Sequence, residues 1–154
     1  MQARSDVFFL LIGGGEQYEA IGKKIRALGL QNCRLLPWQP VDQLPYTLSA
    51  ADIGVVSLGR EASALSIPSK TFGLLAMGLP LLCIADPRSE LAGLVRTHEV
   101  GDSFTPDQLE EISSFIEVLA GHPMKRGRLS QNALAASQHY TPQNAYQFSS
   151  VFHQ

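Results

Sequence analysis

Short apolar runs alternate with longer amphipathic segments, and this alternation constrains the fold more than any other feature of the chain. The apolar runs predict strands at 7–12, 33–36, 53–58 and 81–85, with a short edge strand at 101–104. Segments with apolar residues at helical spacing separate them, at 16–28, 41–51, 69–79 and 89–98. Strands that alternate with helices form right-handed βαβ units. We therefore predict an α/β fold with a doubly wound parallel sheet of about five strands.

A helical tail is predicted after the last strand, in segments 106–120, 125–139 and 142–153. The last segment carries Tyr146, Phe148 and Phe152. A length of 154 residues with 45% hydrophobic and 17% charged residues suggests one domain, with its core in 7–121 and C-terminal helices in 123–153.

Charge and cysteine usage narrow the class of protein. A net charge of −2 and the lack of an aromatic-interleaved basic patch argue against a nucleic-acid partner. Cys33 and Cys83 both fall in predicted strands, so we expect buried free thiols in a reducing compartment. The sequence has neither a signal-peptide pattern nor an apolar stretch of spanning length. The predicted location is the cytoplasm, with peripheral association at the inner face of the membrane left open.

The stretch from Ile67 to Pro80 has the features of a ligand-binding helix start. Ser69 is a favourable N-cap, and Gly78 with Pro80 ends the helix. Lys70 lies in the first turn, where the helix dipole favours an anion, so a lysine beside free amides makes a phosphate cradle. The alternative is an ordinary solvated lysine.

Gly13-Gly14-Gly15 follows the first predicted strand and suggests a phosphate loop or a tight strand-to-helix turn. The run is not the dinucleotide fingerprint, because Tyr18 occupies the third glycine position. It is not a P-loop either, because Lys24 stands where Ser or Thr is needed. NAD binding and ATP hydrolysis are therefore not expected.

No catalytic or metal-binding motif is evident. The four histidines are scattered at 98, 122, 139 and 153 without ligand spacing or a cysteine partner, so no metal site is predicted. The crowded serines around Ser57–Ser69 lack a Gly-x-Ser-x-Gly motif, which argues against a serine hydrolase.

The ordered set of motifs resembles the carboxyl-terminal, donor-binding half of GT-B fold glycosyltransferases of the family-4 (group 1) type. The motifs are Phe9-Leu10-Leu11-Ile12-Gly13-Gly14-Gly15, Leu35-Leu36-Pro37-Trp38-Gln39-Pro40-Val41, Ser49-Ala50-Ala51-Asp52-Ile53-Gly54, Pro68-Ser69-Lys70 and Leu75-Ala76-Met77-Gly78-Leu79-Pro80. The Pro-Ser-Lys version resembles transferases of bacterial surface-polysaccharide assembly. The resemblance covers about residues 7–104.

The resemblance implies roles for named residues toward a nucleotide-sugar donor such as a UDP- or GDP-sugar. Gly13 and Gly14 would let backbone approach the donor, and the loop from Gln39 to Val41 would contact the base. Ser69, Lys70 and Thr71 would meet the diphosphate or ribose. Ser66, in the loop 63–66, would face the donor sugar. No metal or other cofactor and no catalytic residue is implied.

The resemblance also implies what this chain would lack. The acceptor-binding half is absent, so the chain alone should not transfer sugar and would need that half as a further domain or partner subunit. The family's donor domain has strand order 3-2-1-4-5-6, and its first strand precedes the matched region. Without that strand the predicted order becomes 2-1-3-4-5. Two alternatives remain: a flavodoxin-like interaction module whose tail helix docks on a partner, and a related sugar-nucleotide epimerase domain.

Overall fold

The computed structural model describes residues 4–59 and 66–141. Five strands alternate with helices in the order that the sequence pattern predicts. The strands are β1 (Phe9–Ile12), β2 (Cys33–Leu36), β3 (Gly54–Ser57), β4 (Leu81–Ile84) and β5 (Gly101–Phe104). The helices are α1 (Tyr18–Ala27), α2 (Leu44–Ser49), α3 (Lys70–Ala76), α4 (Glu90–His98), α5 (Leu109–Gly121) and α6 (Pro123–Ser137), with a 3-10 helix at Val41–Gln43. The predicted tail helix with Tyr146, Phe148 and Phe152 lies outside the described residues.

All strand pairings are parallel, which confirms the predicted α/β class. The strands form two sheets, a two-stranded sheet β1-β2 and a three-stranded sheet β3-β4-β5. Within each sheet the pairings agree with the predicted order 2-1-3-4-5, and a pairing of β1 with β3, which would join the two sheets, is not among those of the described residues. A short apolar run predicts that a segment is a strand. Which strands pair depends on backbone hydrogen bonds between segments that are far apart in the sequence.

The chain divides into two compact units, which we call the amino-terminal unit (residues up to Thr47) and the carboxyl-terminal unit (from Leu48). In the amino-terminal unit α1 packs on β2. We predicted that the first strand is buried on both faces, and this is wrong: Leu10 and Leu11 are 42% and 41% exposed. Only one helix covers this two-stranded sheet, so its second face has no packing partner within the unit.

The carboxyl-terminal unit holds the hydrophobic core. The central strand β4 is fully buried at Leu81 and Cys83, and α3 and α4 pack beside the sheet against α6. Gly54 lets the Leu74 side chain of α3 pack directly on β3, because a Cβ at this position would lie 2.9 Å from Leu74 Cδ1. A larger residue at position 54 would require the Leu74 side chain to shift.

The buried face of α3 agrees in part with the predicted one. Of the predicted apolar face Phe72, Leu75, Ala76 and Leu79, the two leucines are buried and Phe72 packs against the core. The helix also buries Thr71 and Leu74. Ala76 is exposed. The helix ends as predicted at Gly78, whose φ of 68° lies in the left-handed region that favours glycine.

Candidate functional site

The glycine loop after β1 lies against the loop after β2 within the amino-terminal unit. The Gly13 amide donates to the Leu36 carbonyl over 3.1 Å, which extends the β1-β2 pairing into the loop. A Cβ at Gly14 would lie 2.7 Å from Nε1 of Trp38, so the glycine gives the indole room to lie on the backbone. Parallel neighbouring strands end at one edge of a sheet, which is why these loops meet.

The loop from Gln39 to Val41 exposes both backbone and apolar surface. The Gln39 side-chain amide donates to the Pro37 carbonyl over 2.9 Å and so holds the turn. Val41 begins the 3-10 helix and is 87% exposed, and Trp38 is 76% exposed. The loop is therefore accessible from solvent.

Trp38 also lies in this loop, although it is not among the predicted site residues. A signal for it exists in the sequence, because an aromatic residue between Pro37 and Pro40 follows a strand directly. Nothing in the sequence shows that its indole contacts Gly14, since that contact joins residues 24 positions apart in two different loops.

The start of α3 places Ser69 and Lys70 at an exposed position of the carboxyl-terminal unit. The predicted N-cap bond of Ser69 is wrong: its side chain makes no capping hydrogen bond, and its φ and ψ of −56° and −32° are already helical. The Pro68 carbonyl instead accepts from the Thr71 amide over 2.9 Å. The described residues provide no acceptor for the amides of Ser69 and Lys70, as is usual in the first turn of a helix.

Thr71 does not share this exposed surface. The residue has no accessible surface, and its Oγ1 finds no hydrogen-bond partner among the described residues. Its placement in the core does not support a direct contact between its hydroxyl and a diphosphate or ribose. Ser66 is exposed at the end of the loop that precedes Pro68, and residues 60–65 of that loop lie outside the described part.

Lys70 has no ion-pair partner in the part of the chain that the structure describes. Its charge acts on the end of the sheet at Cys83. Burial raises the pKa of the Cys83 thiol to about 12, while the Lys70 charge lowers it and Asp102 raises it. Cys83 is thus a buried protonated thiol, as predicted, whereas Cys33 is only half-buried, so that the prediction of two buried thiols is half wrong.

Within residues 4–59 and 66–141 no cluster of three or more histidine, cysteine or acidic side chains is arranged to hold a metal ion. None of the described helices has the length and apolar character needed to cross a membrane.

Two curated proteins share sequence with the chain. The putative colanic acid biosynthesis glycosyl transferase WcaI of Escherichia coli K12 is 31% identical over 91 residues, which cover 59% of this chain and 22% of that protein. The chitobiosyldiphosphodolichol beta-mannosyltransferase of Dictyostelium discoideum is 31% identical over 80 residues, 51% of this chain and 16% of that protein. No protein-family model matches the sequence.

The fold has a solved counterpart in Anabaena Alr3699/HepE, whose structure contains UDP-glucose. The TM-score is 0.73 at 23% identity, over 97% of this chain and 42% of that one. The resemblance to GT-B glycosyltransferases is confirmed. The matched segments span only about a fifth of the length of the curated relatives.

Proposed function

We propose that the chain is the nucleotide-sugar donor-binding domain, residues 1–154, of a glycosyltransferase that builds a bacterial surface polysaccharide or another glycoconjugate. The observation that carries the proposal is the 31% identity to WcaI over 59% of this chain, combined with a fold that HepE uses in its complex with UDP-glucose. Neither relative favours the interaction-module or the epimerase alternative.

In this proposal the two loops of the amino-terminal unit receive the nucleotide. Gly13 and Gly14 keep the loop free of side chains, so that backbone approaches the donor. Gln39 and Val41 meet the base through backbone groups, because the Gln39 side chain is already bonded to Pro37. Trp38 supports the glycine loop through its contact at Gly14.

The start of α3 would receive the diphosphate. The Lys70 ammonium and the amides of Ser69 and Lys70 supply positive potential in a helix start whose first turn holds no acidic residue. Such preorganised donors stabilise the charge that the leaving diphosphate gains as the glycosidic bond to it breaks. Ser66 faces the sugar in this arrangement, and Thr71 positions the helix start from the core.

The complete enzyme would add an acceptor-binding half, in the same polypeptide or as a partner subunit. Transfer requires that half, so the 154-residue chain alone should show no sugar transfer. We propose that donor binding needs no metal or organic cofactor, and that the enzyme works in the cytoplasm with the inner face of the membrane as its site of peripheral association.

Calorimetric titration of the chain with UDP, GDP and their sugar conjugates tests the proposal. We expect saturable binding to one base, weakened about tenfold or more by Lys70→Ala, because a hydrogen bond between charged groups contributes about 1.5–3 kcal/mol. Lys125→Ala, an exposed lysine on α6, is the matched control and should bind as the parent does. Equal affinity of the parent and Lys70→Ala would remove Lys70 from the site, and no binding of any nucleotide would refute the proposal.

A further inference from the structure

An open cavity of about 450 Å³ lies along α1 and β2, entirely within the amino-terminal unit. Its lining includes three cationic side chains, Lys23, Arg26 and Arg34, against a single carboxylate, Glu19. In the described residues none of the three cations forms an ion pair or a side-chain hydrogen bond. Three like charges around one cavity repel each other, and an anion between them removes that repulsion.

The helix leaves room for a ligand beside these charges. Gly22 also lines the cavity, and a Cβ there would lie 3.4 Å from Nη1 of Arg26 and 3.6 Å from Leu35 Cδ2. The guanidinium of Arg26 therefore lies back over the glycine, while the residue remains exposed to solvent. A planar guanidinium offers paired N–H donors whose geometry matches phosphate oxygens.

The stability of α1 does not account for this cluster. Cations in the last turn of a helix interact with its dipole, and α1 has Lys24 and Arg26 there. Lys24 gains the same interaction without lining the cavity, whereas Arg34 lines the cavity from a strand and gains none. The usual placement of cations near the end of a helix therefore does not explain why Lys23, Arg26 and Arg34 line the same cavity.

We propose that the α1-β2 cavity is a binding site for a phosphate-bearing anion. Three cations against one carboxylate favour an anionic ligand, and the two arginines suit the several acceptor oxygens of a phosphate group. The volume lies within the range of small-molecule sites. None of Gly13, Gly14, Gln39 and Val41 lines the cavity, so the site is separate from the proposed donor loops and does not depend on the proposed function.

The same chemistry has two sources, a soluble phosphate compound and the headgroup of an anionic phospholipid. The experiment therefore has two arms, pyrophosphate and vesicles of phosphatidylglycerol, with phosphatidylcholine vesicles as the neutral comparison.

Cys33 provides a reporter in the native 154-residue chain. The half-buried Cys33 thiol lines the cavity, and the other cysteine, Cys83, has no accessible surface. The rate at which neutral iodoacetamide alkylates Cys33 is measured with and without each ligand, at equal ionic strength set with chloride. We expect bound ligand to slow alkylation. Each of Arg26→Gln and Arg34→Gln should weaken this protection about two- to fivefold, as for one exposed ion pair.

Lys24→Gln is the matched control, because it removes the same charge from the neighbouring position outside the cavity. If pyrophosphate protects Cys33 in the parent and in Lys24→Gln but much less in the arginine variants, the proposal is supported with a soluble ligand. The same pattern with phosphatidylglycerol vesicles alone supports it with a lipid headgroup. The proposal is overturned if neither source protects Cys33, or if Lys24→Gln loses protection as fully as the arginine variants do. Nucleotide titration of Lys70→Ala tests the proposed donor site independently. A negative result for the α1-β2 cavity therefore does not refute the proposed function, and the reverse also holds.

Discussion

The strands β1 and β4 are nearly the same in composition but differ in burial. Phe-Leu-Leu-Ile in the amino-terminal unit leaves both central leucines more than 40% exposed, whereas Leu-Leu-Cys-Ile in the carboxyl-terminal unit is almost completely buried. β4 has a strand on each side and packs against α4, whereas β1 pairs with one strand of its unit and α1 packs on that other strand, β2. An apolar strand is therefore buried in the hydrophobic core only where enough other strands and helices pack around it.

The same contrast runs through both units. In the described residues Val7 is the one buried apolar residue of the amino-terminal unit, and nine of the fourteen exposed large hydrophobic residues lie there. The core cluster is drawn from residues 56–136 of the carboxyl-terminal unit. Since burial of apolar area is the main source of folding free energy, the carboxyl-terminal unit should supply most of the stability of the chain.

Paired leucine truncations test this contrast most strongly. Leu81→Ala should lower the free energy of unfolding by about 2–5 kcal/mol, because it opens a cavity at a fully buried site. Leu11→Ala removes a side chain that is 41% exposed and should cost well under half as much. Urea unfolding followed by circular dichroism measures both. Similar costs for the two variants would show that β1 is buried in solution and would remove the contrast.

Alkaline pH tests the burial of β4 through Cys83. Its pKa is raised from 9.0 to about 12 by burial, so the folded state holds the thiol proton more tightly than the unfolded state. The resulting stability is fully present below pH 9 and is lost as the pH rises from 9 toward 12, by up to about 4 kcal/mol.

The measurement for Cys83 is the difference in unfolding free energy between the parent and Cys83→Ala at pH 8 and at pH 10.5. We expect the advantage of the parent to shrink at the higher pH, because other titrating groups are common to both chains and cancel. The half-buried Cys33 provides the comparison through Cys33→Ala. A pH-independent difference for Cys83→Ala would contradict its burial.

Helix starts offer a smaller test. Ser89 caps α4, since its Oγ accepts from the Ala92 amide over 3.2 Å, whereas Gln17 before α1 makes no capping bond. Ser89→Ala should therefore cost about 1 kcal/mol in thermal or urea unfolding, and Gln17→Ala should cost almost nothing. Equal losses would mean that α1 contributes to cooperative unfolding as much as α4 does.

Two helical glycines test whether the units unfold together. Gly22→Ala in α1 and Gly93→Ala in α4 each raise helix propensity, by about 0.5–1 kcal/mol. No atom lies within 4 Å of a Cβ at Gly93, and the nearest at Gly22 is the flexible end of Arg26. We expect Gly93→Ala to raise global stability, and Gly22→Ala only to slow amide hydrogen exchange within α1. A gain in global stability from Gly22→Ala would show one cooperative unit.

The predicted elements agree with the structure where local signals are strong. β2 and β5 have the predicted bounds, and Gly29 and Gly78 end α1 and α3 in the left-handed conformation. Ser69 fails as a cap and Ser89 succeeds, although both precede a helix, because the backbone at Ser69 is already helical and that at Ser89 is extended. Residue type alone does not distinguish the two.

The candidate site, too, was predicted from the sequence only in part. The sequence placed Gly13, Gly14, Gln39 and Val41 in loops that follow adjacent parallel strands, and the structure brings the glycine loop and the Trp38 loop together. The sequence also predicted Ser69, Lys70 and Thr71 at the start of one helix, but it did not show that Thr71 is buried in the core. Successive side chains of a helix point in directions about 100° apart, so only the packing of α3 shows which of the three is exposed.

The sequence by itself determined the order and type of the elements, their parallel direction and the resemblance to a donor-binding domain, because these follow from local periodicity and from motifs in series. Tertiary structure alone decided that the core lies in the carboxyl-terminal unit, that α3 buries Thr71, and that Lys23, Arg26 and Arg34 line one cavity. These features depend on which distant segments pack together, and pairwise contact between distant segments leaves no periodic trace in the sequence.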